Sequence, residues 1–130
     1  MQYTPAMSYL DDPRVFFAAE RTLLAWQRTS VALIGLGFVV ERFGLFERMV
    51  NATHPVAQTS TMPTLLFGVV FLVLGALVAA LAAWQYQRFV ATLSYPELPR
   101  GHGTWMGPLL NYALAIAGLA MAAWFVWSAA

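Results

Sequence analysis

The sequence contains no cysteine and no lysine, and it has few charged residues of either sign. The lack of cysteine excludes disulfides, thiolate metal sites and cysteine nucleophiles. Charged residues make up 10% of the chain, well below the roughly 25% that is typical of soluble domains. The formal net charge of +1 gives no support to nucleic-acid binding. Because no phosphate-binding loop, catalytic triad or carboxylate dyad is found, we expect neither an enzyme nor a bound metal or cofactor.

What the chain has in abundance is apolar residues. They make up 60% of its 130 residues, and the mean hydropathy is +0.64. Three apolar stretches alternate with two polar loops, which predicts an all-α membrane protein with three transmembrane helices. The spans are expected at about residues 29–46, 64–84 and 109–127. They form a single domain over residues 13–128, after an N-terminal tail of residues 1–12.

The first helix is expected to be longer than its span. Asp12 is a suitable N-cap and Pro13 suits the first helical position, so the helix should begin near residue 13 and end at about Phe46. Its roughly 34 residues would measure about 50 Å at ~1.5 Å per residue, whereas a bilayer core needs only about 20 residues. The first third of this helix should therefore be an amphipathic segment outside the hydrocarbon region.

The arginines predict the orientation of the chain, because basic residues accumulate on the inner side of a membrane. Five arginines belong to one side and two to the other, so the N-terminus is expected inside and the C-terminus outside. Basic residues at the inner helix ends are also candidates for binding anionic lipids. The inner arginines are Arg14, Arg21, Arg28, Arg88 and Arg100, and the outer ones are Arg42 and Arg48.

Four arginines of the first helix follow a seven-residue spacing. Seven residues are nearly two helical turns, so these side chains lie close to one face of the helix, with a drift of about 20° per heptad. Gly35 occupies the one position of the series that is not arginine. We call this series the arginine stripe; its positions are Arg14, Arg21, Arg28, Gly35 and Arg42.

Arg28 is expected to lie inside the hydrocarbon region. The twenty residues between Arg21 and Arg42 measure about 30 Å, which matches the bilayer core and leaves Arg28 roughly 10 Å within it. Two interpretations stay open. The long side chain can snorkel to the headgroups, or it can face a bundle interior, a water-filled mouth or an acidic partner.

The polar residues around Arg28 favour the second interpretation. Glu20, Arg21, Gln27 and Thr29 form with it a candidate site that either binds an anion or joins helices. Glu20 is the most suitable partner for an arginine, in the same chain or in a neighbouring subunit, and a purely structural salt bridge stays equally open.

A second charged group is expected at the outer end of the first span. Glu41 and Arg42 are adjacent there, and Arg48 follows Glu41 by seven residues. Residues seven apart lie on nearly the same face, so Glu41 and Arg48 can make a similar link.

Several motifs resemble those of a known family. The sequence is similar to YidH-like proteins, small three-span bacterial inner-membrane proteins that carry domain of unknown function 202. The resemblance implies a multi-pass protein of the bacterial inner (plasma) membrane. With the orientation predicted from the arginines, its N-terminus would be cytoplasmic and its C-terminus periplasmic. The motifs are Asp12-Pro13-Arg14, Ala19-Glu20-Arg21-Thr22-Leu23-Leu24-Ala25-Trp26, Arg28-Thr29, Gly35-Leu36-Gly37 and Trp84-Gln85-Tyr86-Gln87-Arg88.

The same resemblance implies a type of assembly. The domain forms the membrane part of the eukaryotic vacuolar transporter chaperone complex, where several copies surround a polyphosphate-conducting pore lined by basic residues of the first helix. By this resemblance Arg21 and Arg28 would be the ring residues, and Glu20 a nearby partner between helices.

Three functions therefore stay open at the level of the sequence. The first is a homo-oligomer with an arginine-lined vestibule or conduit for anions or polyanions, since rings of arginine can select anions. The second is a non-catalytic accessory or assembly subunit of a larger membrane complex. The third is the binding of anionic lipid.

Overall fold

The chain forms three helices in a computed structural model that describes residues 13–53, 62–92 and 105–130. Within these ranges there is no strand, and each helix is long and apolar enough to cross a membrane. The predicted all-α fold with three transmembrane helices is therefore confirmed. Asp12 and Arg100 lie outside the described residues. The helices are α1 (Pro13–Thr53), α2 (Met62–Ala91) and α3 (Met106–Ala129).

The first helix is longer than the sequence predicted. It has 41 residues, which corresponds to roughly 60 Å, and it continues past the predicted end at Phe46 to Thr53. No proline interrupts the chain between Pro13 and Pro55, and the residue before a proline disfavours the helical conformation. The helix therefore continues beyond the end of the apolar stretch.

Glycine residues bring α1 and α2 into close antiparallel contact. A Cβ atom at Gly37 would lie 2.7 Å from the backbone oxygen of Gly68, and one at Gly75 would lie 2.9 Å from the backbone oxygen of Ser30. Only glycine fits at such a distance, and small residues of this kind are what lets helices pack closely in lipid. We call this contact the α1–α2 seam.

The third helix packs antiparallel on α2, which is thus the central helix, and it approaches α1 at only a few places. Ala76 and Ala79 of α2 form a buried cluster with Ala115 of α3. The buried residues of α3 are spaced alternately by three and four, the pattern of a helix packed along one face. They are Pro108, Asn111, Ala115, Gly118, Ala122 and Phe125.

Candidate functional site

All five positions of the arginine stripe are exposed. Two residues after each of them, the chain has a buried position of the α1–α2 seam. Two residues turn a helix by about 200°, so the stripe and the seam lie on nearly opposite sides of α1. Arg28 therefore does not face the interior of the three helices of one chain. What it meets outside them stays a prediction. The buried positions are Phe16, Leu23, Ser30, Gly37 and Gly44.

Small residues lie between the exposed arginines. Together they form a row spaced alternately by three and four residues, and every member of the row is exposed. A Cβ atom at Gly35 would meet nothing within 4 Å, so no contact inside the chain requires a glycine there. We call this row the outer face of α1; it consists of Ala18, Arg21, Ala25, Arg28, Ala32, Gly35, Val39 and Arg42.

The arginines differ in their partners. The guanidinium carbon of Arg42 lies 5.4 Å from the centroid of the Phe38 ring, and that of Arg88 lies 4.8 Å from the Trp84 ring. Within the described part of the chain, no hydrogen bond, ion pair or ring contact engages Arg21 or Arg28. Two cations of the outer face are thus available to a ligand or a second molecule.

Glu20 lies about a quarter turn around the helix from these cations, on the flank toward α2. It is half-buried and close enough to Tyr86 of α2 for an electrostatic interaction. Between residues 13 and 53 it makes no ion pair with Arg21 or Arg28. An ion pair of Glu20 with Arg21 or Arg28 is therefore absent from the described part of the chain, and pairing between subunits stays a prediction.

The other polar residues near Arg28 are divided between the two sides of α1. The hydroxyl of Thr29 is exposed and donates to the backbone oxygen of Ala25 at 3.3 Å, while that of Ser30 donates to the oxygen of Trp26 at 2.9 Å. Such bonds satisfy a hydroxyl within its own helix. Gln27, in contrast, is half-buried on the seam side. The residues of the predicted polar cluster thus point in different directions from α1, and their role as a binding or inter-helix site stays a prediction.

The charged residues of the outer end are also separated. Glu41 is 9% exposed and packs against Gly68, whereas Arg42 points outward. The Nε atom of Arg48 is buried and has no hydrogen-bond partner among the described residues, and the link between Arg48 and Glu41 stays a prediction. No group of three histidine, aspartate or glutamate residues comes together there to hold a metal ion.

A groove of about 330 Å³ opens between the N-terminal part of α1 and the C-terminal part of α2; we call it the inner groove, because these ends are predicted to lie on the inner side of the membrane. Its walls are mostly apolar, and its polar groups come from one threonine, one glutamine, one tyrosine and the indole N–H of one tryptophan. This groove lies next to the outer face, since Ala18 belongs to both. The lining residues are Val15, Ala18, Ala19, Thr22, Leu23, Trp26, Ala82, Gln85, Tyr86 and Phe89.

Asn111 is a residue that the sequence analysis missed. It is fully buried, and neither its Nδ2 nor its Oδ1 has a hydrogen-bond partner within the described ranges. It is the one amide side chain of α3, and an amide in an apolar span is a signal that could have singled it out. Next to it, the Tyr112 hydroxyl donates to Gln87 Oε1 at 3.1 Å.

The comparisons with known proteins give one positive result. A family model described as "Domain of unknown function (DUF202)" matches residues 14–92, which contain all of the described arginines, the α1–α2 seam and the inner groove. No curated protein and no solved structure matches the chain.

Proposed function

The chain belongs to the DUF202 family, and from that premise we propose that this integral membrane protein forms a homo-oligomer in which the outer faces of α1 surround an arginine-lined site for anions. The observation that supports this most is the exposure of the whole arginine stripe on the side of α1 away from the α1–α2 seam. We also propose that the membrane is the bacterial inner membrane, with the N-terminus in the cytoplasm.

The position of Arg28 argues for a second copy rather than lipid beside the outer face. An arginine at the bilayer centre costs ~2.5–3.5 kcal/mol on insertion scales, and charged residues within spans almost always face a bundle interior or a water-filled cavity. Ala25, Ala32 and Gly35 on the same face are small and uncovered. Small residues allow the close approach of a neighbouring helix, and they add little to contact with lipid.

The charges of the outer face argue for an anion as its ligand. The face carries three arginines and no carboxylate, because Glu20 and Glu41 lie toward α2. Copies of this face brought together would repel one another unless a negative group lies between them. Arginine binds phosphate and carboxylate groups through strong, often bidentate hydrogen bonds. Phosphate and short polyphosphates are therefore the anions to test first.

Anion binding and flux should depend on Arg28. In proteoliposomes, we expect Arg28→Gln to reduce the uptake of phosphate or tripolyphosphate by about tenfold or more, as the loss of a charged hydrogen bond implies, with the oligomer intact. Arg88→Gln is the matched control, since Arg88 is stacked on Trp84 and lies away from the outer face. An equal effect of both variants, or no uptake of any anion by the unmodified protein, would refute the proposal.

A second candidate function, binding of an anionic lipid, is supported by the inner groove, whose mostly apolar walls suit an acyl chain beside the cations of α1. Native mass spectrometry after gentle extraction distinguishes lipid binding from the homo-oligomer with an anion site. Retained phospholipid that is lost in Arg21→Gln but kept in Arg28→Gln would favour the lipid. Stoichiometric unrelated subunits in the extract would instead favour the accessory-subunit role.

A further inference from the structure

The inner groove contains a buried hydroxyl that the chain itself leaves unbonded. Tyr86 is 6% exposed, and its hydroxyl makes no hydrogen bond within the described residues. The hydroxyl is not completely enclosed by those residues either, and Tyr86 lines the groove, so a ligand in the groove can reach it. Buried polar groups in proteins are almost always hydrogen-bonded. Tyr86 therefore indicates that the groove has an occupant.

Two more hydrogen-bond donors line the groove without a partner in the described part of the chain. They are the indole N–H of Trp26, which can only donate, and the side-chain amide of Gln85, which offers two donors and one acceptor. The Thr22 hydroxyl, in contrast, already donates to the backbone oxygen of Ala18 at 3.0 Å. An apolar groove with unused donors suits an apolar molecule that carries an acceptor oxygen.

The acceptor that reaches Tyr86 should carry no charge. Glu20 is close enough to Tyr86 for an electrostatic interaction, so its carboxylate repels an anion there. The mostly apolar walls of the groove would not replace the hydration of a charged group. Arg21, however, lies on the outer face, one turn from Ala18 at the edge of the groove. The groove thus suits a molecule with an uncharged acceptor inside it and an anionic group outside it, near Arg21.

Two tryptophans indicate the level of the groove in the membrane. A Cβ atom at Gly107 would lie 2.9 Å from Leu23 Cδ2, so Trp105, two residues before Gly107 on the parallel helix, lies near the level of Arg21. Trp84 lies among the groove-lining residues of α2. Tryptophan is enriched at the interface between membrane and water, and the ester groups of phospholipids lie there too, between the headgroups and the acyl chains. The groove is therefore at the level of these esters.

We propose that the inner groove binds one phospholipid and that Tyr86 recognises its ester group. An acyl chain lies along the apolar walls, the ester carbonyl oxygen accepts a hydrogen bond from the Tyr86 hydroxyl, and the phosphate lies toward Arg21. A volume of about 330 Å³ is within the range of about 300–1,000 Å³ of small-molecule sites. The inference rests on the lipid-binding candidate above and adds the group of the lipid that is recognised.

A comparison of ester-linked and ether-linked lipids tests this recognition in the unmodified protein. The probes are dioleoyl phosphatidylglycerol and its diether analogue, which has the same headgroup and chain length but no carbonyl oxygen. In native mass spectrometry of the delipidated protein, we expect the ester lipid to bind about threefold or more tightly, as the loss of one hydrogen bond implies. Equal binding of the two lipids would overturn the proposal.

Tyr86→Phe removes the hydroxyl and keeps the ring. We expect this variant to lose the preference for the ester lipid and to keep its affinity for the diether lipid. Its thermal stability without lipid should be unchanged, because the hydroxyl makes no hydrogen bond within the described residues. Tyr112→Phe is the matched control, since the Tyr112 hydroxyl donates to Gln87 outside the groove lining, and it should keep the preference. The same loss in both variants would refute the role of Tyr86.

The lipid headgroup separates this inference from the functions proposed above. Dioleoyl phosphatidylcholine has the same esters and a zwitterionic headgroup. If it binds as tightly as phosphatidylglycerol and with the same dependence on Tyr86, the preference for anionic lipid fails and the ester recognition holds. Arg28→Gln should leave the preference for the ester unchanged, whether or not it reduces phosphate uptake. A quinone in place of phospholipid in the extract of the gently purified protein, or no stoichiometric lipid, would overturn the proposal.

Discussion

Each side of α1 has a series of residues spaced seven apart, but the series on one side is buried and the series on the other is exposed. On one side, positions seven apart from Phe16 to Gly44 are buried against α2. On the other, the arginine stripe and the small residues between its members are exposed throughout. Both sides contain glycine, yet a Cβ atom at Gly37 would collide with the backbone of α2, whereas one at Gly35 would meet nothing within 4 Å in the described part of the chain. The comparison shows that two sides of one helix can carry residues at the same spacing, although only one of them packs against the rest of the described chain.

The difference lies in the polar groups that each side carries. The seam holds carboxylates, an amide and a hydroxyl that is bonded to its own helix, as for Ser30. The outer face holds cations and no carboxylate. In a bilayer, a cationic face with small residues is stable where water, an anion or a partner covers it. The chain therefore has one side of α1 that contributes to its own folding and one exposed cationic side, which we propose to assemble around an anion.

The largest expected difference between the two sides of α1 is in the loss of stability when a glycine on each side is replaced by alanine. Gly37→Ala should destabilise the fold by roughly 1–3 kcal/mol, because the added methyl group overpacks the seam. Gly35→Ala should be neutral, or more stable by about 1 kcal/mol at most, from helix propensity alone. Thermal unfolding in detergent measures both. Similar losses of stability for the two variants would contradict the claim that only one side of α1 is tightly packed within the chain.

A bulky residue at position 35 should act on assembly and leave the fold unchanged. We expect Gly35→Leu to shift the particle from oligomer to monomer, because the side chain would occupy the space through which a second helix approaches. Multi-angle light scattering gives the particle mass, and circular dichroism gives the helical content. An unchanged mass would indicate that the outer face is not a contact between copies.

The ionic conditions should affect the oligomer and leave the α1–α2 seam unaffected. Clustered arginines repel one another, so phosphate at low ionic strength should favour the oligomer over chloride at the same ionic strength. The effect should be absent in Arg28→Gln. Arginine stays protonated at all physiological pH values, so the dependence on phosphate should persist above pH 8, where phosphate is fully dianionic. Assembly that is indifferent to the anion would separate oligomerisation from anion binding.

Arg42 should give the smallest effect on the outer face. Its guanidinium group already stacks on Phe38, so Arg42→Gln loses a cation–π contact worth roughly 0.5–1 kcal/mol at an exposed site. We expect a small loss of stability and a smaller change in phosphate uptake than for Arg28→Gln. If Arg42→Gln instead abolishes uptake, the ring of arginines that matters lies at the outer end.

The helices and the stripe could be predicted from the sequence because both are local. Apolar runs of about twenty residues predict spans, and the seven-residue spacing puts Arg14 to Arg42 on one side by geometry alone. The side that packs against α2 could not be predicted in this way. Apolar residues surround α1 on all sides, so its pattern does not distinguish a face in contact with lipid from one in contact with protein.

The features that could not be predicted from the sequence depend on contacts between helices. The polar cluster around Arg28 was predicted from neighbours in the sequence, but residues one apart point about 100° away from each other, and Gln27 and Arg28 lie on different sides. The pairing of Gly37 with Gly68 and the burial of Asn111 depend on the register between helices. No single-helix pattern contains that register.

The most direct test of the central claim is a cysteine scan along α1. The chain has no cysteine, so single cysteines at residues 24 to 36 can be cross-linked oxidatively in native membranes, with Ile116→Cys on the exposed side of α3 as the control. If outer faces of α1 meet, disulfide-linked dimers should be most abundant at positions 25, 28, 32 and 35 and least abundant at 27, 30 and 34. Equal cross-linking at all positions, or cross-linking at residue 116 in place of these, would contradict the account.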